Sequence, residues 1–184
     1  YKLIPNLPSF TRTPLYRKFL LLRKLRDYLI MANGSPSYQE RLDYAKTARS
    51  NEELICNLQS FNNKVSFSKL EASGNEIFKF EPKSKKDNQI GIYFHGGGYF
   101  YCGINSHKNF ISNLADDLQI TIYFFHYRLA PEHTFPAAHN DAKQVVEYIE
   151  TIHPEENKIW IGESAGGNLA ASICIDESFE LKPS

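Results

Sequence analysis

Residues 159–170, which read Ile-Trp-Ile-Gly-Glu-Ser-Ala-Gly-Gly-Asn-Leu-Ala, are the most informative stretch of this sequence. They predict a short apolar strand, a glycine-rich turn that carries one serine, and the beginning of a helix. A chain that turns from strand into helix within a few residues holds the central residue in a strained conformation, with its side chain above the sheet. Gly162 and Gly166, two residues before and after Ser164, would let the neighbouring backbones pass without a Cβ collision. The pattern therefore predicts that Ser164 is presented as a nucleophile.

Three strand-like runs, residues 90–94, 120–125 and 158–161, are apolar almost throughout, which is typical of strands buried on both faces of a parallel sheet. Helical patterns separate them at about residues 106–118 and 136–151. This alternation predicts an α/β fold, in which a mostly parallel central sheet carries helices on both faces.

The sequence before these runs has a different period. Residues 64–70 and 76–80 alternate between apolar and polar side chains and predict a β-hairpin with one solvent-facing side. The main domain is therefore expected to span residues 64–184.

Helical spacing recurs from residue 15 onward, so we expect residues 1–63 to form a helical N-terminal region with helices over 15–30, 35–50 and, more briefly, 52–58. The first of these helices carries five basic residues. It could lie on a membrane surface or pack its apolar side on the main domain, and the second interpretation is favoured.

Composition limits the possible classes of protein. The chain has 184 residues, of which 42% are hydrophobic and 14% aromatic, and a formal net charge of zero. These values are typical of a packed domain and give no indication of a nucleic-acid partner. Cys56, Cys102 and Cys174 form neither a disulfide framework nor a metal motif, so a reducing, cytoplasmic setting is expected. No apolar run reaches the length of a membrane span. Because the chain begins at Tyr1 instead of methionine, an N-terminal piece, with any targeting signal, is expected to precede it.

A run of glycines follows the first buried strand, in the sequence His95-Gly96-Gly97-Gly98. A serine nucleophile requires backbone N–H donors directed at the developing oxyanion, and glycines let the main chain approach the substrate closely. A plain flexible turn is the alternative. The combination with the serine turn favours the oxyanion hole.

Three blocks in this order resemble the hormone-sensitive-lipase-like branch of the α/β-hydrolases, which includes bacterial esterases and arylacetamide deacetylases. They are the glycine run, the segment from Tyr127 through Asp141 that begins Tyr-Arg-Leu-Ala-Pro-Glu-His, and the G-x-S-x-G turn. The resemblance covers roughly residues 64–175. The N-terminal helices occupy the place where this family carries a cap over its active site.

The resemblance implies an α/β-hydrolase fold and a role for each matching residue. Ser164 corresponds to the nucleophile, and the oxyanion donors correspond to the amides of Gly97, Gly98 and Ala165. The supporting positions implied by the resemblance are His95, Gly96, Glu163, the 127–133 loop and Asp141. His95 is expected to hold its loop by hydrogen bonding, and Glu163, where aspartate is more usual, to orient the turn.

The sequence departs from the family after the serine. In α/β-hydrolases the acid and then the histidine follow the nucleophile, but all six histidines of this chain precede Ser164. Asp176 and Glu177 follow too closely to be the triad acid, since they lie at the end of the helix that begins at the serine. About three strand–helix units of roughly 30 residues each are expected to be absent.

Two explanations follow from this departure. The chain is expected to be part of a longer serine carboxylesterase or lipase-type hydrolase of short to medium acyl esters, acting through an acyl-enzyme and inactive as these residues alone. The alternative is a short homologue that has lost catalysis and binds a small molecule, as receptor relatives do, or receives its histidine from a second chain. The resemblance implies a small-molecule ester substrate and no metal or organic cofactor.

Overall fold

The computed structural model describes residues 36–56, 60–72, 74–86 and 88–184. The chain divides into two compact units, Tyr1–Arg41 and Leu42–Ser184. The helix expected over residues 15–30 lies outside the described residues.

Helix α1 spans Tyr38–Cys56. A capping box begins it: the Ser37 amide donates to the Glu40 carboxylate at 2.7 Å, and the Glu40 amide donates to the Ser37 hydroxyl at 3.3 Å. The prediction of two separate helices, over 35–50 and 52–58, was therefore wrong. The polar pair Ser50-Asn51 lowers the stability of a helix by only about 0.5 kcal/mol per residue. Neither residue is a glycine or a proline, so the helix continues through them.

Five strands form one sheet in the order β1-β2-β4-β3-β5. Their bounds are β1 Val65–Ala72, β2 Asn75–Pro82, β3 Gln89–Phe94, β4 Thr121–Phe125 and β5 Asn157–Gly162. β3 pairs in parallel with β4 and β5, whereas β2 pairs antiparallel with β1 and β4. β2 alone among the described strands therefore runs in the opposite direction, and the expected mostly parallel sheet is confirmed.

Helices cover both faces of this sheet, as expected. Their bounds are α2 Ile104–Leu118, α3 Ala137–Ile152 and α4 Ser164–Ile175. On one face, Ile111 of α2 joins a core cluster with Phe124 of β4; on the other, Ile149 of α3 and Leu169 of α4 join a cluster with Phe125. Adjacent residues of β4 thus point to opposite cores, as strand geometry requires. Within the described residues, no helix has both the length and the apolar character needed to cross a bilayer.

The strands differ in how fully they are buried. β3 after its first residue, and all of β4, are buried, which confirms the prediction for these two strands. β5 contradicts it: Ile159, Trp160 and Ile161 are only half-buried. β5 is the last strand in the order, so one of its edges pairs with no other described strand. Along that edge, the Ser184 amide donates to the Lys158 carbonyl at 3.0 Å.

The predicted hairpin of β1 and β2 is present, but only β1 has a solvent-facing side. β1 alternates along most of its length between more and less exposed residues, while β2 is mostly buried. The reason is its position between β1 and β4, which the local alternation could not reveal.

Candidate active site

Ser164 occupies a sharp turn at the carboxyl end of the sheet. β5 ends at Gly162, Glu163 is extended with φ −123°, and Ser164 begins α4 with φ +48°. A left-handed backbone costs a residue with a Cβ about 1–2 kcal/mol, so it persists only where the surroundings enforce it. Ser164 is exposed. The structure therefore confirms the strained, protruding serine that the sequence predicts.

The glycines that flank this turn are required by close backbone approach. A Cβ at Gly162 would lie 2.8 Å from the Gly166 carbonyl oxygen. A Cβ at Gly166 would lie 1.9 Å from the carbonyl oxygen of Phe94, the last residue of β3. The amino end of α4 is thus seated directly against β3, which places Ser164 beside the segment that follows that strand.

That segment, residues 96–103, is called the glycine loop below. Gly97, Gly98 and Tyr99 have φ values of +108°, +60° and +64°. The amides of Phe100 and Tyr101 both donate to the Gly97 carbonyl, at 3.1 and 3.2 Å. A Cβ on Gly97 would lie 2.1 Å from the Tyr101 carbonyl oxygen, so only glycine fits there.

The amides of Gly97, Gly98 and Ala165 are among those at this end of the sheet that have no acceptor within the described residues. The Ala165 amide belongs to the first turn of α4, where backbone N–H groups have no partner within the helix and carry its positive end. Together these amides could stabilise an anion that forms near Ser164.

Glu163 connects the serine turn to the glycine loop. Its Oε1 accepts hydrogen bonds from His107 Nε2 at 2.6 Å and from the Gly96 amide at 3.3 Å. The hydrogen bond from His107 holds the pKa of Glu163 below its ordinary value. These contacts join the turn at Glu163 to the glycine loop and to His107.

His95 is buried beneath the glycine loop. Its ring stacks on Tyr127 with 4.1 Å between centroids, and its Nδ1 lies 2.7 Å from the Gly96 carbonyl oxygen, to which it donates. Burial lowers the pKa of His95 to about 3. A neutral, enclosed ring of this kind supports the loop, and Tyr127 adds a hydrogen bond from its hydroxyl to the His95 carbonyl at 2.7 Å.

Asp141 supports the loop after β4. It is buried, and it accepts hydrogen bonds from the Arg128 amide at 2.8 Å and from the Arg128 guanidinium at 2.7 and 3.0 Å. This bidentate pair ties the beginning of α3 to the end of β4. The role is structural, in agreement with the expectation for Asp141.

Several histidines of the described residues have hydrogen-bond partners other than Ser164. His107 contacts Glu163, His139 lies 2.8 Å from the Ser172 hydroxyl, and His153 lies 2.7 Å from the Tyr123 hydroxyl. Asp176, at the opposite end of α4, binds Lys143 and Ser178. Within residues 36–56, 60–72, 74–86 and 88–184, the Ser164 hydroxyl has no hydrogen-bonded base.

The glycine loop also contains a thiol, that of Cys102. Burial raises the pKa of its thiol to about 12, so it stays protonated and unreactive at neutral pH. Across the part of the chain that the structure describes, no group of three histidine, cysteine or acidic side chains could hold a metal ion.

A cavity of about 420 Å³ lies next to the glycine loop and the first turns of α4. Its lining residues are Tyr99, Arg128, Ala130, His133, Phe135, Ala138, His139 and Asn168. Mostly apolar walls with a few polar groups are typical of small-molecule sites.

Two residues near the site were missed by the sequence analysis. Arg49 and Glu52 of α1 bind backbone groups of the glycine loop, at Phe100 and Cys102. The only available signal was their spacing of three residues, which places both on one side of a helix. Nothing in that spacing identifies a partner about 50 residues away.

Comparison with known proteins identifies the fold family of this chain. Residues 91–182, half of the chain, match the family described as the α/β hydrolase fold. Carboxylesterase 20 of Arabidopsis thaliana is 36% identical over 107 residues, which cover 51% of this chain and 33% of that protein. Ethyl acetate hydrolase of Pseudomonas putida is 37% identical over 87 residues, covering 45% of this chain and 27% of that enzyme.

Solved structures show the same architecture. An esterase from the bacterial hormone-sensitive lipase family superposes with a TM-score of 0.68 at 25% identity, covering 76% of this chain and 48% of that one. A hormone-sensitive lipase from a metagenome library also has a TM-score of 0.68, at 24% identity, over 91% of this chain and 54% of that one. The chain thus spans about a third of the curated relatives it matches and about half of the solved ones.

Proposed function

The chain belongs to the α/β-hydrolase fold family, in its hormone-sensitive-lipase-like branch, and from this premise we propose that it forms part of a serine esterase. One observation carries the proposal: Ser164 is held in a strained turn beside amides that have no acceptor among the described residues. A protruding hydroxyl next to preorganised donors is the arrangement that acyl transfer requires.

In the proposed reaction, the Ser164 hydroxyl attacks the carbonyl carbon of an ester and loses its proton to a base. The amides of Gly97, Gly98 and Ala165 stabilise the tetrahedral oxyanion. The C–O bond to the alcohol then breaks, the base returns the proton to the leaving alkoxide, and water hydrolyses the acyl-enzyme by the same steps.

We propose that the histidine base and its carboxylate partner come from outside these 184 residues. None of the hydrogen bonds that the described histidines make reaches the Ser164 hydroxyl, and the relatives are two to three times longer than the segment they share with this chain. Without the base the residual activity would be small, since loss of the serine or the histidine alone costs a serine hydrolase about 10⁶ in turnover.

The relatives and the cavity support a proposal for the substrate class. One relative is an ethyl acetate hydrolase and another, from Emericella nidulans, a versiconal hemiacetal acetate esterase, 33% identical over 96 residues. A cavity of about 420 Å³ beside the glycine loop suits a short to medium acyl chain. We therefore propose a small carboxylic ester as the substrate.

A fluorophosphonate probe tests this function in the full-length protein. Rapid labelling that is abolished in Ser164→Ala and retained in Ser172→Ala, which alters a serine of the same helix, would support the enzyme. Ser172 is a suitable control because its hydroxyl already contacts the Leu169 carbonyl at 2.9 Å. Binding of an ester-like ligand without any labelling would contradict the proposal and favour a non-catalytic, receptor-like homologue.

A further inference from the structure

We propose that Arg49 and Glu52 of α1 clamp the glycine loop in the conformation that presents its amide donors, and so act as positioning residues for the reaction. This inference rests on the proposed function, because those donors need a fixed position only if they stabilise an oxyanion.

The glycine loop requires external support. Besides its two left-handed glycines, it holds Tyr99 at φ +64° and Cys102 at φ +73°. Each of these two residues has a Cβ and is therefore strained in this region. Strained backbone persists only where the surroundings determine it, so the contacts that fix this loop are part of the machinery of the site.

Arg49 supplies the most extensive of these contacts. Its Nε donates to the Phe100 carbonyl at 2.8 Å, and its Nη2 donates to the Ala130 carbonyl at 3.0 Å. The guanidinium also forms a bidentate pair with Glu132, at 2.7 and 3.0 Å, which holds the pKa of Glu132 below its ordinary value. All three guanidinium nitrogens are engaged, so the planar fork has one orientation.

Glu52 holds the other end of the same turn. Its Oε2 accepts a hydrogen bond from the Cys102 amide at 2.8 Å. The Tyr44 ring packs against the Phe100 ring, with 5.4 Å between centroids. Contacts from one side of α1 therefore bracket residues 100–102.

The clamp reaches the donors through one residue, Phe100, whose two flanking peptide groups are both hydrogen-bonded. The Phe100 amide donates to the Gly97 carbonyl while the Phe100 carbonyl accepts from Arg49. Fixing Phe100 thus fixes the turn in which the Gly97 and Gly98 peptides lie. Loss of a whole oxyanion donor costs about 10²–10³ in kcat, and a partial displacement should cost less.

The test uses the full-length protein and p-nitrophenyl ester hydrolysis. We expect Arg49→Ala and Glu52→Ala to lower kcat by about 10- to 100-fold, with KM changed by less than about threefold, because the clamp acts on transition-state donors instead of substrate contacts. Arg49→Lys, which keeps one donor for the Phe100 carbonyl, should recover part of the loss. Lys46→Ala removes an exposed cation from the same helix and should leave kcat unchanged.

A second measurement separates positioning from folding. A trifluoromethyl ketone, which forms a tetrahedral adduct, should bind Arg49→Ala more weakly by the same factor as the loss in kcat/KM. An Arg49→Ala protein with the kcat of Lys46→Ala, or one that loses activity only in proportion to its folded fraction by circular dichroism, would overturn the clamp. An unmutated full-length protein without turnover would overturn the proposed function, and the clamp with it.

Discussion

Gly166→Ala should damage both the stability and the activity of the protein. The new Cβ would lie 1.9 Å from the Phe94 carbonyl oxygen, 2.4 Å from its carbonyl carbon and 2.5 Å from the His95 carbonyl oxygen. All three are backbone atoms, so α4 must move away from β3 by about 1.5 Å to bring the 1.9 Å approach to an ordinary contact distance. Forced overpacking of a core costs about 1–3 kcal/mol, and more where the backbone itself must move. A displacement of about 1 Å at a reacting group can cost about 10²-fold in rate.

The neighbouring glycine provides a matched control. A Cβ on Gly167 would lie 3.4 Å from the Gly162 carbonyl oxygen, an ordinary contact. Because alanine favours a helix over glycine by about 0.5–1 kcal/mol, Gly167→Ala should be neutral or slightly stabilising. Thermal unfolding should place Gly166→Ala about 5–10 °C below the unmutated protein and Gly167→Ala at or above it. Equal melting temperatures for the two variants would refute the close seating of α4 on β3.

Two further predictions concern charge. Burial lowers the pKa of His95 to about 3, so below about pH 6.5 the unfolded chain binds a proton that the folded protein refuses. The free energy of unfolding should therefore fall as the pH drops from 6.5, by about 2–3 kcal/mol at pH 4.5, as measured in urea titrations. His95→Gln should show a smaller decrease. A urea midpoint that does not change with pH over this range would contradict the buried neutral ring. Asp141→Asn should lower the free energy of unfolding by about 1.5–3 kcal/mol, since its carboxylate is buried against Arg128. Glu71→Gln, on an exposed side chain, is the control that should leave the melting temperature unchanged.

Local sequence patterns predicted an element correctly wherever the periodicity of the segment agrees with its place in the sheet. The strand-turn-helix around Ser164, the apolar run of β3 and the helical spacing of α2 were all predicted to within about two residues. Each of these elements is recognisable because its period or its glycines report directly on its own backbone.

The incorrect and missed predictions have a different cause. The half-exposure of Ile159 to Ile161 and the burial of β2 depend on strand order, which no single segment contains. Arg49 is a similar case, because its importance lies in a carbonyl 51 positions along the chain. Long-range pairing therefore could not be predicted from a single sequence, whereas the strained turn at Ser164 could.

The left-handed backbone at Ser164 and at Tyr99 has a consequence for how this protein can change. Both positions hold conformations that a more permissive residue would adopt with less strain, so the fold gives up stability where the proposed reaction takes place. Substitutions that make the protein sturdier are therefore expected to arise readily at these two sites and to lower its activity. Selection for thermal stability would favour replacing these two residues, whereas selection for turnover would favour keeping them.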